Sequence, residues 1–74
     1  MNKDVKEISI KKLKELCDIV HGPLQLSRML GISKQRLNNW FIKGVPIEMV
    51  LRLEYISNGK INRYDIRPDI YVKD

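Results

Sequence analysis

The chain is poor in nearly everything that stabilises a small protein covalently. Its 74 residues hold one cysteine, Cys17, and one histidine, His21. A single cysteine excludes an internal disulfide, and one Cys with one His falls short of the four ligands a structural zinc takes. No apolar stretch approaches the ~20 residues of a membrane span. No succession of basic start, apolar run and small-residue cleavage site marks a secretory leader. An intracellular protein is expected, and a lone thiol suits a reducing compartment. A domain of this length buries only ~60% of the surface its unfolded chain exposes. Its core must therefore come from efficient helix packing, with a second copy as a further source of buried surface. Paired acids, a nucleophile beside a base, a phosphate-binding loop and a metal cluster are all missing. No catalysis, cofactor or metal is expected.

One further absence is regional. From Ile19 through Ile47 there is no Asp or Glu, while the same stretch carries Arg28, Lys34, Arg36 and Lys43. The acids lie on either side: Asp4, Glu7, Glu15 and Asp18 before it, and Glu48, Glu54, Asp65, Asp69 and Asp74 after it. A surface free of carboxylates is what a phosphate backbone requires, because each acid would repel it. The whole chain has 14 Lys and Arg against 9 Asp and Glu, a net charge of +5. An anionic partner follows, with nucleic acid ahead of membrane.

The apolar pattern predicts an all-α fold of four to five short helices. Residues 1–8 read as a flexible or extended arm, and residues 9–74 as one domain. Ser9 is placed to cap a helix from Ile10 to about His21, in which Ile10, Leu13, Leu16, Cys17 and Val20 form one stripe. Lys11, Lys12, Lys14, Glu15 and Asp18 take its solvated side. Pro23 opens a second helix to Leu30, where its missing N–H costs nothing. Gly31 ends it. Ser33 caps a third helix from Lys34 to about Lys43, with Leu37, Trp40 and Phe41 on one side. A fourth runs from Pro46 to about Ser57 and stops at Asn58-Gly59. Asn62 caps a last turn, Arg63 to Ile66, and Pro68 prevents its continuation. Ile70, Tyr71 and Val72 are apolar enough to fold back on the body.

The centre of the chain carries the functional signal. A short helix, the Gly31-Ile32-Ser33 turn and a second short helix make a helix-turn-helix module. Ile32 plugs the turn, while Leu26, Leu30, Leu37 and Trp40 fill the angle between the helices. The second helix of such a pair enters the major groove. Asn and Gln can each make two hydrogen bonds to adenine, and Lys or Arg can contact guanine. Lys34, Gln35, Arg36, Asn38 and Asn39 supply those groups. Trp40 belongs to the core by its spacing from Leu37. Cys17 lies in an apolar stripe, the usual place of an inert thiol, and His21 has no partner cluster.

The run Leu26-Ser27-Arg28-Met29-Leu30-Gly31-Ile32-Ser33-Lys34-Gln35-Arg36-Leu37-Asn38-Asn39-Trp40, the Gly44-Val45-Pro46 start of the next helix, and the Arg67-Pro68-Asp69-Ile70-Tyr71 ending together resemble a known group. They are similar to the small Cro-type and YdaS-like regulators of phages and prophages, which share the lambda repressor-like fold. The resemblance spans about Leu13 to Tyr71. It implies a DNA-binding transcriptional regulator, a repressor in the main, acting as a homodimer on a two-fold operator in a bacterial cytoplasm. Carried over by position, base contacts fall to Ser33, Lys34, Gln35, Asn38 and Asn39. Backbone contacts fall to Pro23, Leu24, Gln25 and Lys43, with Arg36 facing phosphate. Ser27 stands where the family usually has Ala, and its hydroxyl is expected to bond a carbonyl one turn back. The same fold could instead serve as an antitoxin-like or adaptor module that holds a protein partner through Ile70-Tyr71-Val72.

Overall fold

A computed structural model describes residues 3–71. It is all-α: α1 (Lys3–Ile19), α2 (Pro23–Leu30), α3 (Lys34–Lys43), a 3-10 turn (Ile47–Met49), α4 (Val50–Ile56) and α5 (Arg63–Ile66). The bounds of α2, α3 and α5 are those the Gly, Pro, Ser and Asn punctuation predicts. Gly31 takes a left-handed backbone (φ 69°) after α2. The Ser33 side chain accepts the Arg36 N–H at the head of α3, and Asn62 accepts the Asp65 N–H at the head of α5.

The first helix differs from its prediction. Residues 3–8 are not an arm but the first two turns of α1; residues 1 and 2 lie outside the described residues. Ser9 is no cap. It is fully buried inside the helix, and its hydroxyl donates to the Lys6 carbonyl (3.0 Å) and accepts the Val45 N–H (3.4 Å). The apolar stripe therefore continues back through Ser9 to Val5, which is buried. At the other end α1 stops at Ile19, and His21 takes the left-handed conformation (φ 71°) ahead of Gly22. The fourth helix is also shorter than expected. Pro46 is extended, residues 47–49 form the 3-10 turn, and α4 begins at Val50.

α1 packs against α2, α3 and α5, and α4 against α5. Leu13, Leu16, Leu26, Leu30, Leu37, Trp40, Val45, Val50, Leu53, Ile61 and Ile66 belong to one continuous buried cluster. Met29, next to Leu30 on α2, is exposed, and Phe41 is only half-buried. Of the apolar ending, Tyr71 packs on the cluster and Ile70 is exposed, while Val72 falls outside the described residues. Burial, and then the neighbouring Asp18 charge, push the Cys17 thiol above its ordinary value. It stays protonated and unreactive.

One buried arginine ties the C-terminal half to the chain between α3 and α4. Arg67 is buried; its Nε and NH2 donate to the two Asp69 carboxylate oxygens at 2.9 and 2.8 Å, and its NH1 donates to the Val45 carbonyl at 3.2 Å. Ser9 and Arg67 thus hold the N–H and the carbonyl of Val45, the residue that links α3 to α4. Among the described residues no helix is long and apolar enough to cross a membrane.

Candidate nucleic-acid interface

α2 and α3 meet over the Gly31-Ile32-Ser33 turn. The Gly31 and Ile32 N–H groups donate to the Arg28 and Ser27 carbonyls at 3.3 and 3.1 Å, which closes the end of α2 before the chain turns. Ile32 is half-buried and packs on the core, as its position predicts. Leu26, Leu30, Leu37 and Trp40 are all buried between the helices and the body. Ser27 is buried as well, and its hydroxyl donates to the Leu24 carbonyl at 2.8 Å, one turn back. The extra hydroxyl is thereby satisfied within its own helix.

This packing sorts α3 into two sides. Leu37 and Trp40 hold it to the body at 0% and 5% exposure. Ser33, Lys34, Gln35, Arg36, Asn38, Asn39, Ile42 and Lys43 are all exposed. At 100° per residue, Gln35, Asn39 and Ile42 lie almost opposite the Leu37–Trp40 side, flanked by Asn38 and Lys34 on one edge and Lys43 and Arg36 on the other. All five residues expected to meet bases therefore stand on the open surface. Ser33 is also committed to its cap, because its oxygen accepts the Arg36 N–H at 3.1 Å. That leaves its O–H hydrogen as the group it can offer outward.

The head of α2 offers a different kind of contact. Gly22 is its N-cap and provides no side chain to bond the first turn. The first intrahelical bond runs from the Leu26 N–H to the Gly22 carbonyl. The Leu24 and Gln25 N–H groups therefore have no partner within the helix, and Pro23 has no N–H to leave unpaired. No acid lies in this first turn. A helix N-terminus of that kind attracts phosphate through its backbone. Pro23, Leu24 and Gln25 are all exposed.

Arg28 is the residue that sequence reasoning passed over. It sits exposed in the last turn of α2 with no ion pair among the described residues. Only the acid-free window pointed to it, and that window does not say which cations are unpaired. The lysines of α1 belong elsewhere: Lys12 pairs with Glu15 at 3.0 Å on the solvated side of that helix.

A two-helix module with a glycine turn, a serine-capped second helix and an acid-free polar face defines a helix-turn-helix domain. The family described as "Bacterial toxin YdaS" matches residues 13–74. The chain belongs to this YdaS family. It is 37% identical, over 60 residues, to the "Putative transcriptional regulator YdaS" of Escherichia coli (strain K12). That alignment covers 77% of this chain, and the chain spans about 60% of the length of the relative. No solved structure matches it.

Proposed function

We propose that this protein is a sequence-specific, double-stranded DNA-binding transcriptional regulator, acting as a repressor in the bacterial cytoplasm with α3 in the major groove. The observation that carries the reading is the outward face of α3. It presents Lys34, Gln35, Asn38 and Asn39 together, all exposed, in a segment without a carboxylate. Gln35, Asn38 and Asn39 are the base readers, each amide suited to an adenine edge. Lys34 reads guanine, and the Ser33 O–H meets an adjacent base or sugar. Arg36 and Lys43, which share one edge of α3, contact phosphates along one side of the groove. The Leu24 and Gln25 N–H groups take a further phosphate, with Pro23 packed against the sugar. The name of the E. coli relative supports a regulatory role.

The operator is read by two copies related by a two-fold axis, which doubles the contacts of a small module. The second copy is met by α4. Leu51 and Tyr55 are one turn apart there, exposed at 47% and 86%, and a Tyr this bare on a short helix suits an interface.

The direct test is selection of bound duplexes from a random pool with the wild type, Gln35→Ala and Asn39→Ala. The wild type should enrich one two-fold site, and each variant should relax or change it. Losing one good amide–adenine pair costs about 1–3 kcal/mol at that base. Equal affinity for the enriched and random duplexes would sink the reading.

A second reading follows from the family description, which says toxin where the relative's name says regulator. The fold would then act as an adaptor or antitoxin-like module that grips a protein, with Ile70 and Tyr71 as its handle. Induced expression separates the two. If any growth defect disappears with Gln35→Ala and Asn39→Ala together, the effect runs through DNA. If it persists and a stoichiometric protein co-purifies, the adaptor reading replaces the first.

A further inference from the structure

The face of α3 opposite the core is not wholly polar. Ile42 follows Gln35 by seven residues, two turns less about 20°, so it stands on the same line along the helix. It is 64% exposed, more than any other aliphatic side chain among the described residues. Leu24, Leu51 and Ile47, the next in order, reach 48%, 47% and 44%. A single exposed isoleucine is ordinary on a protein surface. The set to which this one belongs is not. Gln35, Asn38, Asn39 and Ile42 are spaced i, i+3, i+4 and i+7, the spacing of the base-contacting residues on the groove helix of a homeodomain, a helix-turn-helix variant. Three of the four are amides, and the fourth is apolar.

The groove offers an apolar side chain one partner, the 5-methyl group of thymine. Apart from the small C5–H of cytosine, the other groups there are donors or acceptors, and covering one with isoleucine would leave it without a hydrogen bond. Amides favour adenine, and each adenine brings a thymine methyl to the same groove. An isoleucine beside three amides is therefore placed where methyl groups are most frequent. Its β-branched side chain holds essentially one χ1 rotamer in a helix, so it loses little freedom on contact.

We propose that Ile42 is a specificity residue that reads the 5-methyl of a thymine in each half-site. The proposal rests on α3 being the groove helix, and it adds an apolar readout to the amide readout argued above. Ile42 selects thymine over cytosine, which has an amino donor at its groove edge and no methyl.

The experiment starts from the enriched duplex. Each thymine is replaced in turn by deoxyuridine, which deletes the methyl and nothing else. Affinities are measured for the wild type, Ile42→Ala and Gln35→Ala. The wild type should lose about four-fold at one thymine per half-site, the worth of one buried methyl group. Ile42→Ala should bind the thymine and uracil forms of that position equally. Gln35→Ala should remain sensitive to the methyl while losing discrimination at a different base. Because Ile42 is exposed, the alanine variant should melt within a few degrees of the wild type.

Three results would overturn the proposal. In the first the wild type is indifferent to every uracil, and in the second the enriched site lacks thymine. In the third Ile42→Ala weakens all duplexes alike and keeps the full methyl effect, which would make Ile42 a protein-contact residue. If Gln35→Ala shifts the selected site in any of these cases, the groove reading stands and only the role of Ile42 falls. If the wild type enriches no duplex, both fall together.

Discussion

The two arginines of the helix-turn-helix and the two that follow α4 do opposite things. Arg63 and Arg67 are used up by the fold. Arg63 donates through its Nε to Glu54 at 3.0 Å, its backbone N–H reaches the same carboxylate oxygen at 2.8 Å, and its guanidinium lies 5.8 Å from the Tyr71 ring centre. Arg67 is bidentate to Asp69 and holds the Val45 carbonyl. Arg28 and Arg36 are exposed and make no ion pair among the described residues. The difference follows from where the acids are. Glu54 and Asp69 are available to Arg63 and Arg67, while no carboxylate occurs from Ile19 to Ile47. A cation without an internal partner keeps its full charge for an external anion. A paired one has spent it on stability. Net charge alone cannot make that distinction.

Exchanging roles should fail in both directions, and the larger effect lies on the structural side. Arg67→Met removes a buried guanidinium and leaves both the Val45 carbonyl and the Asp69 carboxylate without their donors. A loss of about 2–3 kcal/mol is expected in urea unfolding, below the ~3–5 kcal/mol of a fully buried broken pair because Asp69 is partly solvated. The salt dependence of DNA affinity, measured where the variant is folded, should not change. A stability within ~0.5 kcal/mol of the wild type would mean that Arg67 is a surface residue in practice.

Arg36→Gln and Arg28→Gln test the other side. Each should leave the unfolding free energy within ~0.5 kcal/mol of the wild type. Arg36→Gln should reduce the slope of log affinity against log salt by about 1, as removal of one phosphate contact does. Arg28→Gln should do the same if the end of α2 also approaches the backbone. An unchanged slope for both would place the open arginines away from the duplex.

The same division explains what could be read from the sequence. α2, α3 and α5 were legible to the residue because a Gly, Ser or Asn with a short-range hydrogen bond sets each boundary. The exposed face of α3 was legible because Leu37 and Trp40 fix its rotation. Ser9 misled for a related reason. Serine is a strong cap by local rules, but here its hydroxyl answers an N–H 36 residues away, and no local rule contains that distance. With Ser9 taken as a cap, the preceding two turns of α1 were lost with it. Arg28 and Arg67 look alike in the sequence, and only the folded positions of Val45 and Asp69 separate them. Ile42 could be placed on the helix from periodicity, but its 64% exposure depends on what the rest of the chain leaves uncovered.

The smallest expected effect concerns pH, and it should again fall on one half only. The side-chain hydrogen bond from Arg63 holds the Glu54 carboxyl below the usual carboxylate range, and that from Arg67 does the same for Asp69. In each case the folded value lies below the unfolded one, about 4.3 for Glu and 3.9 for Asp. The stability they contribute is therefore complete above those unfolded values and is lost as pH falls through the folded ones. The unfolding midpoint of the wild type should be flat from pH 7 to 5 with respect to these groups and should drop below about pH 4. Asp69→Asn should be less stable than the wild type at pH 7, and the two curves should converge on acidification. A gap that persists undiminished at pH 2 would show that Asp69 acts by shape rather than charge. Arg28 and Arg36 have no carboxylate to lose, so Arg36→Gln should track the wild-type acid transition throughout. If it did not, Arg36 would have a hidden acidic partner, and the separation between spent and available arginines would fail at the one arginine of α3 assigned to a phosphate.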